Sequence, residues 1–462
     1  MNFKHTVVVV LASITALFSC KSHNEIDAHL AKTLEPSRKP NIILILADDL
    51  GYADVGFHGS DIQTPNIDRL ANEGVRLENF YVTPMCSPTR AGLLTGRYPI
   101  RYGMMRAVLP PQRHYGLDPE EDLLPEMLAR AGYNYRGAIG KWHLGKAEEQ
   151  WLPINQGFTH FVGCYEGAID YFSHHRNGKL DWHKNGKLYE KEGYSTDLIA
   201  QESVNFINRV PKDEPYFLYV PFNAPHSPFQ AKKSDLLKYP NRNGKSKTYA
   251  AMVDCMDQGI GKILEAVEKR GDLENTFILF MSDNGGVNEI GDNSPMKGSK
   301  LTTYEGGIRV AAVAYMKNSL ISGGKTNTDR MGYIDIFPTV KELAGYKELE
   351  VNKLDGTSIL NSLKGIEKLP NRDWYSYIDQ NDDRRQRLAV HSGNWKAVIV
   401  QDAPDALNKR ESNEELFYLQ GNHVEDSNAI ESHKTEFENL KSKIDEFLKL
   451  IKPDQVGRYS EN

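Results

Sequence analysis

Four short apolar runs, each followed at once by polar residues, limit what this chain can fold into more than any other feature. They are NIILILADDLG (41–51), YNYRGAIGKWHLG (133–145), YFLYVPFNAPHSPF (216–229) and TFILFMSDNGG (276–286). Rich in β-branched or aromatic residues, each reads as a buried strand. Between them lie helix-like stretches: TPNIDRLANEGVRLENF, EDLLPEMLARAG, STDLIAQESVNFINRV and residues 249–271. Strands alternating with helices predict an α/β fold, a large and mostly parallel sheet flanked by helices. After DIFPTVKELAG (335–345) the pattern changes to a polar, glycine-containing link, then LAVHSGNWKAVIV and ELFYL, then the helical HKTEFENLKSKIDEFLKLI. The expected organisation is a main domain over 40–366 and a smaller α+β domain with an antiparallel sheet over 367–462.

Outside that frame the chain reads as exported. In MNFKHTVVVVLASITALFSCKSHNE the apolar run 6–18 is too short to span a bilayer and fits a signal peptide over 1–20. LFSC (17–20) resembles the lipobox of bacterial lipoproteins, which implies a lipid anchor at Cys20 and a periplasmic or cell-surface location; a plain secretory signal is the other reading. Residues 21–39 are polar and predict a tether. Acidic residues outnumber basic ones, 62 to 56, with no block of like charge, so nucleic acid is not an expected partner. Apart from Cys20 there remain Cys86, Cys164 and Cys255, an odd number and no disulfide framework. Cys255 sits on a helical pattern and reads as a small buried hydrophobe, and Cys164 can pack likewise.

The polar residues after the four runs carry the functional signal. Asp48 and Asp49 follow the first, Lys141 and His143 close the second, Asn223 and His226 follow the third, and Asp283 and Asn284 the fourth. In open α/β sheets ligands bind outside the carboxyl ends of the strands, so these residues are expected on one edge. Asp48, Asp49, Asp283 and Asn284 are hard oxygen donors without zinc-type Cys or His spacing, which favours Ca²⁺ or Mg²⁺; helix capping and a turn are the plain alternatives. Lys141, His143, His226, Arg90 and Lys300, the last in GSKLTTYEGGIR, could form a pocket for a tetrahedral oxyanion. With a metal, such a pocket suits sulfate or phosphate ester hydrolysis. Cys86, in PMCSPTRAGLLTGRYP (84–99), precedes a helix expected to begin near Pro88 and to aim free N–H groups at it. A thiolate nucleophile is one reading of Cys86, although no Asn or Asp partner for a Cys–His relay is identifiable and a thiol suits hard oxygen ligands poorly.

CSPTRAGLLTGRYPIRYGM resembles the signature of the type I sulfatases, with its C-x-P-x-R core and LLTGR extension, in the branch of arylsulfatases A and B and N-acetylgalactosamine-6-sulfatase within the alkaline phosphatase superfamily. ADDLG, GKWHLG, APHSPF, SDNGG and KLTTYEGGIR resemble further family segments in the family order, densely over 39–345, and HSGNWKAV with ELFYL extends the likeness. The resemblance implies that a maturation enzyme oxidises Cys86 to formylglycine. A hydrated aldehyde offers one hydroxyl to attack sulfur and keeps a second, so sulfate can be expelled by re-forming the aldehyde; serine lacks that exit. By the same resemblance Asp48, Asp49, Asp283 and Asn284 hold Ca²⁺ together with the formylglycine at position 86. Arg90 and Lys141 steady the hydrate, His143 takes the proton that drives release, and His226 and Lys300 contact sulfate and the leaving oxygen. Lys297 competes with Lys300, but Lys300 directly precedes the LTTYEGG segment. Leu301 stands where relatives often carry glycine, and APHSP is one of several variants around the histidine.

The expected substrate is a sulfated carbohydrate, such as a glycosaminoglycan or galactan fragment. GCYEGAIDYFSHHRNGKLDWH (163–183) is rich in residues that stack on sugars and bond hydroxyls, which nominates Tyr165, Asp170 and His174 for substrate binding; a loop with ordinary aromatic anchors is the alternative. Two other functions stay open on the residues alone: a phosphate or phosphonate ester hydrolase of the same superfamily, and a catalytically silent glycan-binding lipoprotein.

Overall fold

Every residue of β1 (Asn41–Ala47) is buried. Ile42, Leu44 and Leu46 enter one hydrophobic core while Ile43, Ile45 and Ala47 enter another. A strand that is apolar on both faces belongs inside a sheet covered on both sides. The computed structural model describes residues 38–105, 115–317, 321–349, 351–380, 385–403, 410–419 and 424–451; the expected signal peptide, the expected lipid-anchor site Cys20, and nearly all of the expected tether lie outside them.

Nine further strands join β1 in the main sheet: β2 (Val75–Leu77), β3 (Tyr135–Lys141), β4 (His160–Cys164), β5 (His183–Lys184), β6 (Lys187–Leu188), β7 (Tyr216–Pro221), β8 (Thr276–Ser282), β9 (Ala312–Tyr315) and β10 (Lys325–Asn327). Their order is β10-β2-β9-β8-β1-β7-β3-β4-β5-β6. The four strands expected from sequence are four adjacent ones, β8-β1-β7-β3, all parallel, and β4 extends the parallel run. Antiparallel pairing with β9 on one side and β5 on the other ends it. Ala47 is level with Ser282 and Leu46 with Pro221, so the carboxyl ends of the central strands reach one edge together.

Helices α1 (Pro65–Glu73), α2 (Cys86–Thr95), α3 (Ser195–Arg209), α4 (Gly244–Lys269) and α5 (Lys434–Leu448) complete the core. α1, α3 and α4 bury Ile67, Ile199 and Ile260 against one face. On the other face lie α2, α5 and a second sheet of β11 (Trp374–Gln380), β12 (Arg385–Ser392), β13 (Trp395–Asp402) and β14 (Asn413–Tyr418), antiparallel in that order. The described residues from Pro40 onward form one compact unit. Cys164, at the end of β4, and Cys255, within α4, are free and buried.

Candidate active site

β1 and β8 end side by side, so the residues that follow them meet. Asp49 turns on a left-handed backbone, φ 70°, a conformation that persists where the surroundings dictate it. Its carboxylate accepts the Asn284 side-chain amide at 2.8 Å, and its N–H donates to Asp283 Oδ1 at 3.3 Å. Asp48, Asp49, Asp283 and Asn284 are all buried.

α2 brings Cys86 to this cluster. It begins at Cys86 itself, two residues before the proline expected to open it, and no side chain caps its first turn. Gly96 ends it with φ 68° and an N–H bond to the Gly92 carbonyl at 2.9 Å, a left-handed cap that favours glycine. One turn along from Cys86, Arg90 donates through Nε and Nη2 to Asp283 Oδ2 at 3.0 and 2.6 Å and through Nη1 to the Lys141 carbonyl at 2.8 Å. Lys141, the last residue of β3, donates Nζ to Asp48 Oδ2 at 2.6 Å. These four charged side chains have no solvent exposure, so each charge depends on its partner.

His143 also has a left-handed backbone, φ 57°. Its carbonyl accepts the Ser87 hydroxyl at 2.9 Å, and its Nδ1 lies 3.3 Å from Cys86 Sγ. Burial, with the Lys141 and Arg90 charges, holds the imidazole well below its ordinary range and therefore neutral. Burial pushes the Cys86 thiol up although Lys141 and Lys300 oppose it, so the unmodified residue is a poor thiolate nucleophile.

Lys300 closes the cluster, donating to both Asp49 oxygens at 2.6 and 2.8 Å. Burial alone would raise the Asp49 carboxyl; Lys300, His226 and Lys141 hold it well below the usual carboxylate range. His226 Nδ1 is 2.6 Å from the Ser227 carbonyl, which places its proton there, and Nε2 is 3.5 Å from Asp49 Oδ2. Leu301 has φ 72°, the region that favours glycine, and its N–H donates to the Pro84 carbonyl at 2.9 Å. That bond ties the Lys300 loop to the segment leading into α2. Lys297 points elsewhere, pairing with Glu415 at 3.0 Å.

The cluster fits a hard divalent cation. Asp48 Oδ1 and Asn284 Oδ1 are buried acceptors without a donor. Asp48, Cys86 and Asp283 can converge on one ion, as can Asp48, Asp49 and His226. Burial and the adjacent Asp48 carboxylate push Asp283 up to about 6, a repulsion that a cation relieves.

The three residues nominated for sugar binding all have contacts within their loop or with its neighbours. Tyr165 is 5% exposed, with Phe161 and His183 stacked on it at 5.0 and 4.0 Å. Asp170 accepts the N–H groups of Phe172 and Ser173 and the side-chain amide of Gln230. His174 is 1% exposed against Trp182. Composition alone does not separate a sugar platform from such packing. Gly167, in the same segment, was not nominated: a Cβ there would stand 2.5 Å from His143 Nε2.

Residues 40–346 match the family model described as Sulfatase. Arylsulfatase J of Mus musculus is 36% identical over 374 residues, covering 78% of this chain but 62% of its own length, so this chain spans less than two thirds of that relative. Arylsulfatase A of Homo sapiens is 33% identical over 395 residues, covering 80% of this chain and 76% of itself. The crystal structure of Ps i-CgsB in complex with k-i-k-neocarrahexaose superposes with a TM-score of 0.82 at 34% identity, covering 90% of this chain and 94% of that one.

Proposed function

Because the chain belongs to the sulfatase family, we propose that it hydrolyses sulfate esters of a sulfated carbohydrate, using formylglycine made from Cys86 and a Ca²⁺ ion. The observation that carries this reading is the setting of Cys86, a buried thiol 3.3 Å from His143 Nδ1 and able to share one ion with Asp48 and Asp283. Asp48, Asp49, Asp283 and Asn284 would hold the ion beside position 86. Formylglycine would supply a hydrated aldehyde as nucleophile with a second hydroxyl for sulfate expulsion, and Ca²⁺ would supply positive charge toward a sulfate oxygen.

The protein's own groups have separable tasks. Arg90 and Lys141, pinned by Asp283 and Asp48, keep fixed positive charge next to position 86, where a hydroxyl must ionise. His143, neutral and aimed at position 86, is placed to take a proton from it. Lys300 carries the protons that a leaving oxygen requires, while His226, with Nδ1 committed to Ser227, offers Nε2 as a substrate contact. Asp48, Asp49 and Asp283 balance Arg90, Lys141 and Lys300, three charges against three. A dication and an anionic ester therefore enter a site of zero formal charge and largely offset one another.

The neocarrahexaose complex of Ps i-CgsB supports a carbohydrate as substrate. We assign the chemistry to residues 40–366, with 367–462 as the smaller domain, and export as a periplasmic or cell-surface lipoprotein anchored at Cys20. The test is inorganic sulfate and phosphate released from sulfated oligosaccharides and matched phosphate esters by wild type and Cys86→Ala, after mass spectrometry establishes the aldehyde at position 86. Sulfate from wild type alone is expected. Phosphate alone would move the chain to phosphate ester hydrolysis, and release of neither by the matured protein would favour simple glycan binding.

A further inference from the structure

Beyond β8, on the side away from β7, lies a cavity of about 550 Å³ that none of the catalytic groups lines. β9 runs antiparallel to both β8 and β2, and β10 runs parallel to β2. The ends of β2 and β10 therefore lie on the same carboxyl edge as Asp49 and Asp283. Glu78 and Asn79 follow β2 into the cavity wall, Asp329 and Arg330 follow β10, and Arg309 precedes β9. Tyr52, three residues past Asp49, and Pro295, five before Lys300, tie the wall to the catalytic cluster through the chain. The volume suits a small ligand, and the lining is polar and charged, which suits a hydrated one.

Formally the charges balance, Arg309, Arg330 and Arg372 against Glu78, Asp329 and Asp335, but the pairing is uneven. Both carboxylates are committed: Glu78 accepts the Tyr52 hydroxyl at 2.7 Å and lies 3.7 Å from Arg309, while Asp329 accepts the Ser362 hydroxyl at 2.7 Å and the Leu369 N–H at 2.8 Å. Arg372 pairs with Asp335, and its buried Nε has no acceptor. Arg330 donates only to main-chain carbonyls, of Gly393 at 2.8 Å and Arg372 at 3.4 Å, and no carboxylate among the described residues pairs with it. Asn79 is 8% exposed; its amide donates to the Thr328 carbonyl at 2.7 Å, and its buried Oδ1 has no donor. A guanidinium with no carboxylate at ion-pair distance can take an anion, and the orphaned acceptor can take a hydroxyl. A sugar bearing an acidic substituent supplies both.

We propose that this cavity is a second carbohydrate subsite, which takes a sulfate or carboxylate on a sugar neighbouring the one whose ester is cleaved. The proposal rests on the reading of the protein as a carbohydrate sulfatase. It gives the enzyme a preference for oligosaccharides with at least two anionic groups, with Arg330 as the specificity-determining residue.

The test measures sulfate release by wild type, Arg330→Gln and Arg330→Lys from five kinds of ester. Carrageenan oligosaccharides offer sulfate alone, chondroitin sulfate and heparin oligosaccharides add carboxylates, a singly sulfated sugar offers no second anion, and 4-nitrophenyl sulfate offers no sugar. For the best multiply charged substrate, Arg330→Gln should raise KM about tenfold, the worth of one charge-assisted hydrogen bond, with kcat unchanged. Hydrolysis of the singly sulfated sugar and of the aryl ester should not move, Arg330→Lys should recover part of the loss, and melting temperatures of all three proteins should agree. Which oligosaccharide responds tells sulfate from carboxylate. An unchanged KM overturns the subsite and leaves the sulfatase reading standing. Release from the aryl ester but from no oligosaccharide overturns the subsite together with the carbohydrate reading, and release from no ester overturns the parent reading itself.

Discussion

Cys86 Sγ lies 3.3 Å from His143 Nδ1, and a glycine on the far side of the imidazole makes room for that approach. A Cβ at Gly167 would stand 2.5 Å from His143 Nε2, closer than packed atoms tolerate. Nε2 is the far end of a side chain, so Gly167→Ala is expected to move the ring and spare the backbone. The outcome is a fall in kcat of about a hundredfold, the scale set by a misplacement near 1 Å, at an almost unchanged melting temperature. Steady-state sulfate release and thermal melts check it together; lost stability with normal kcat would assign the glycine to packing alone.

Calcium is expected to stabilise the protein through the two orphaned acceptors, Asp48 Oδ1 and Asn284 Oδ1. A ligand bound only by the folded state adds about 2.7 kcal/mol when present at a hundred times its Kd. Melting in EDTA should therefore occur several degrees below melting in Ca²⁺. Asn284→Ala should abolish most of that difference, because it removes one acceptor and the amide that orients Asp49. A melting curve indifferent to both chelator and calcium would count against the ion.

Much of this was legible in the sequence for a physical reason. A strand buried on both faces is apolar nearly throughout, so β1, β7 and β8 appear as continuous runs, while β3 carries Arg136 and Lys141 near its two ends; a parallel sheet gathers whatever follows them at one edge. The start of α2 was displaced by two residues because proline is accepted anywhere in a first helical turn, and Pro88 is its third residue. β5 and β6 are two residues each and too short to have a periodicity. Tyr165 and His174 are buried, and composition does not report burial. Gly167 and Glu305 stayed invisible because their reasons are contacts across the fold. Glu305 looks like a loop acid in YEGGIR, yet its partners His391 and Lys396 are 86 and 91 residues away.

That buried cluster joins the Lys300 loop to the second sheet. Glu305 Oε1 accepts His391 Nε2 at 2.7 Å and Lys396 Nζ at 2.8 Å; Lys396 also lies 2.8 Å from Glu425 Oε1, and Glu425 Oε2 accepts the Glu305 N–H at 2.8 Å. Lys396→Met would leave two buried carboxylates facing each other without a cation. The expected cost is about 3–5 kcal/mol of folding stability, read from denaturant midpoints. A change under about 1 kcal/mol, the range of a surface pair, would mean the cluster relaxes by admitting water.

The two ends of the same cluster respond to pH with opposite signs. Burial pushes His391 down to about 3, against the pull of Glu305, whereas an unfolded imidazole takes a proton near 6.5. Between those values the unfolded chain binds more protons, so the His391 contribution is complete above pH 6.5 and is lost as pH falls toward 3. Burial pushes Glu425 up to about 7, with Lys396 opposing and Glu305 adding to the rise, from an ordinary 4.5. Here the folded chain keeps a proton that the unfolded chain has lost, so this contribution is complete below pH 4.5 and disappears as pH rises through about 7. From pH 4.5 to 6.5 the two slopes cancel in the wild type. Glu425→Gln removes one of them, so its stability relative to wild type should climb across that window by up to about 1.4 kcal/mol per pH unit. Denaturant unfolding of both proteins at matched pH isolates the difference, since all other groups are common to the two; parallel curves would show that Glu425 is already ionised in the folded protein.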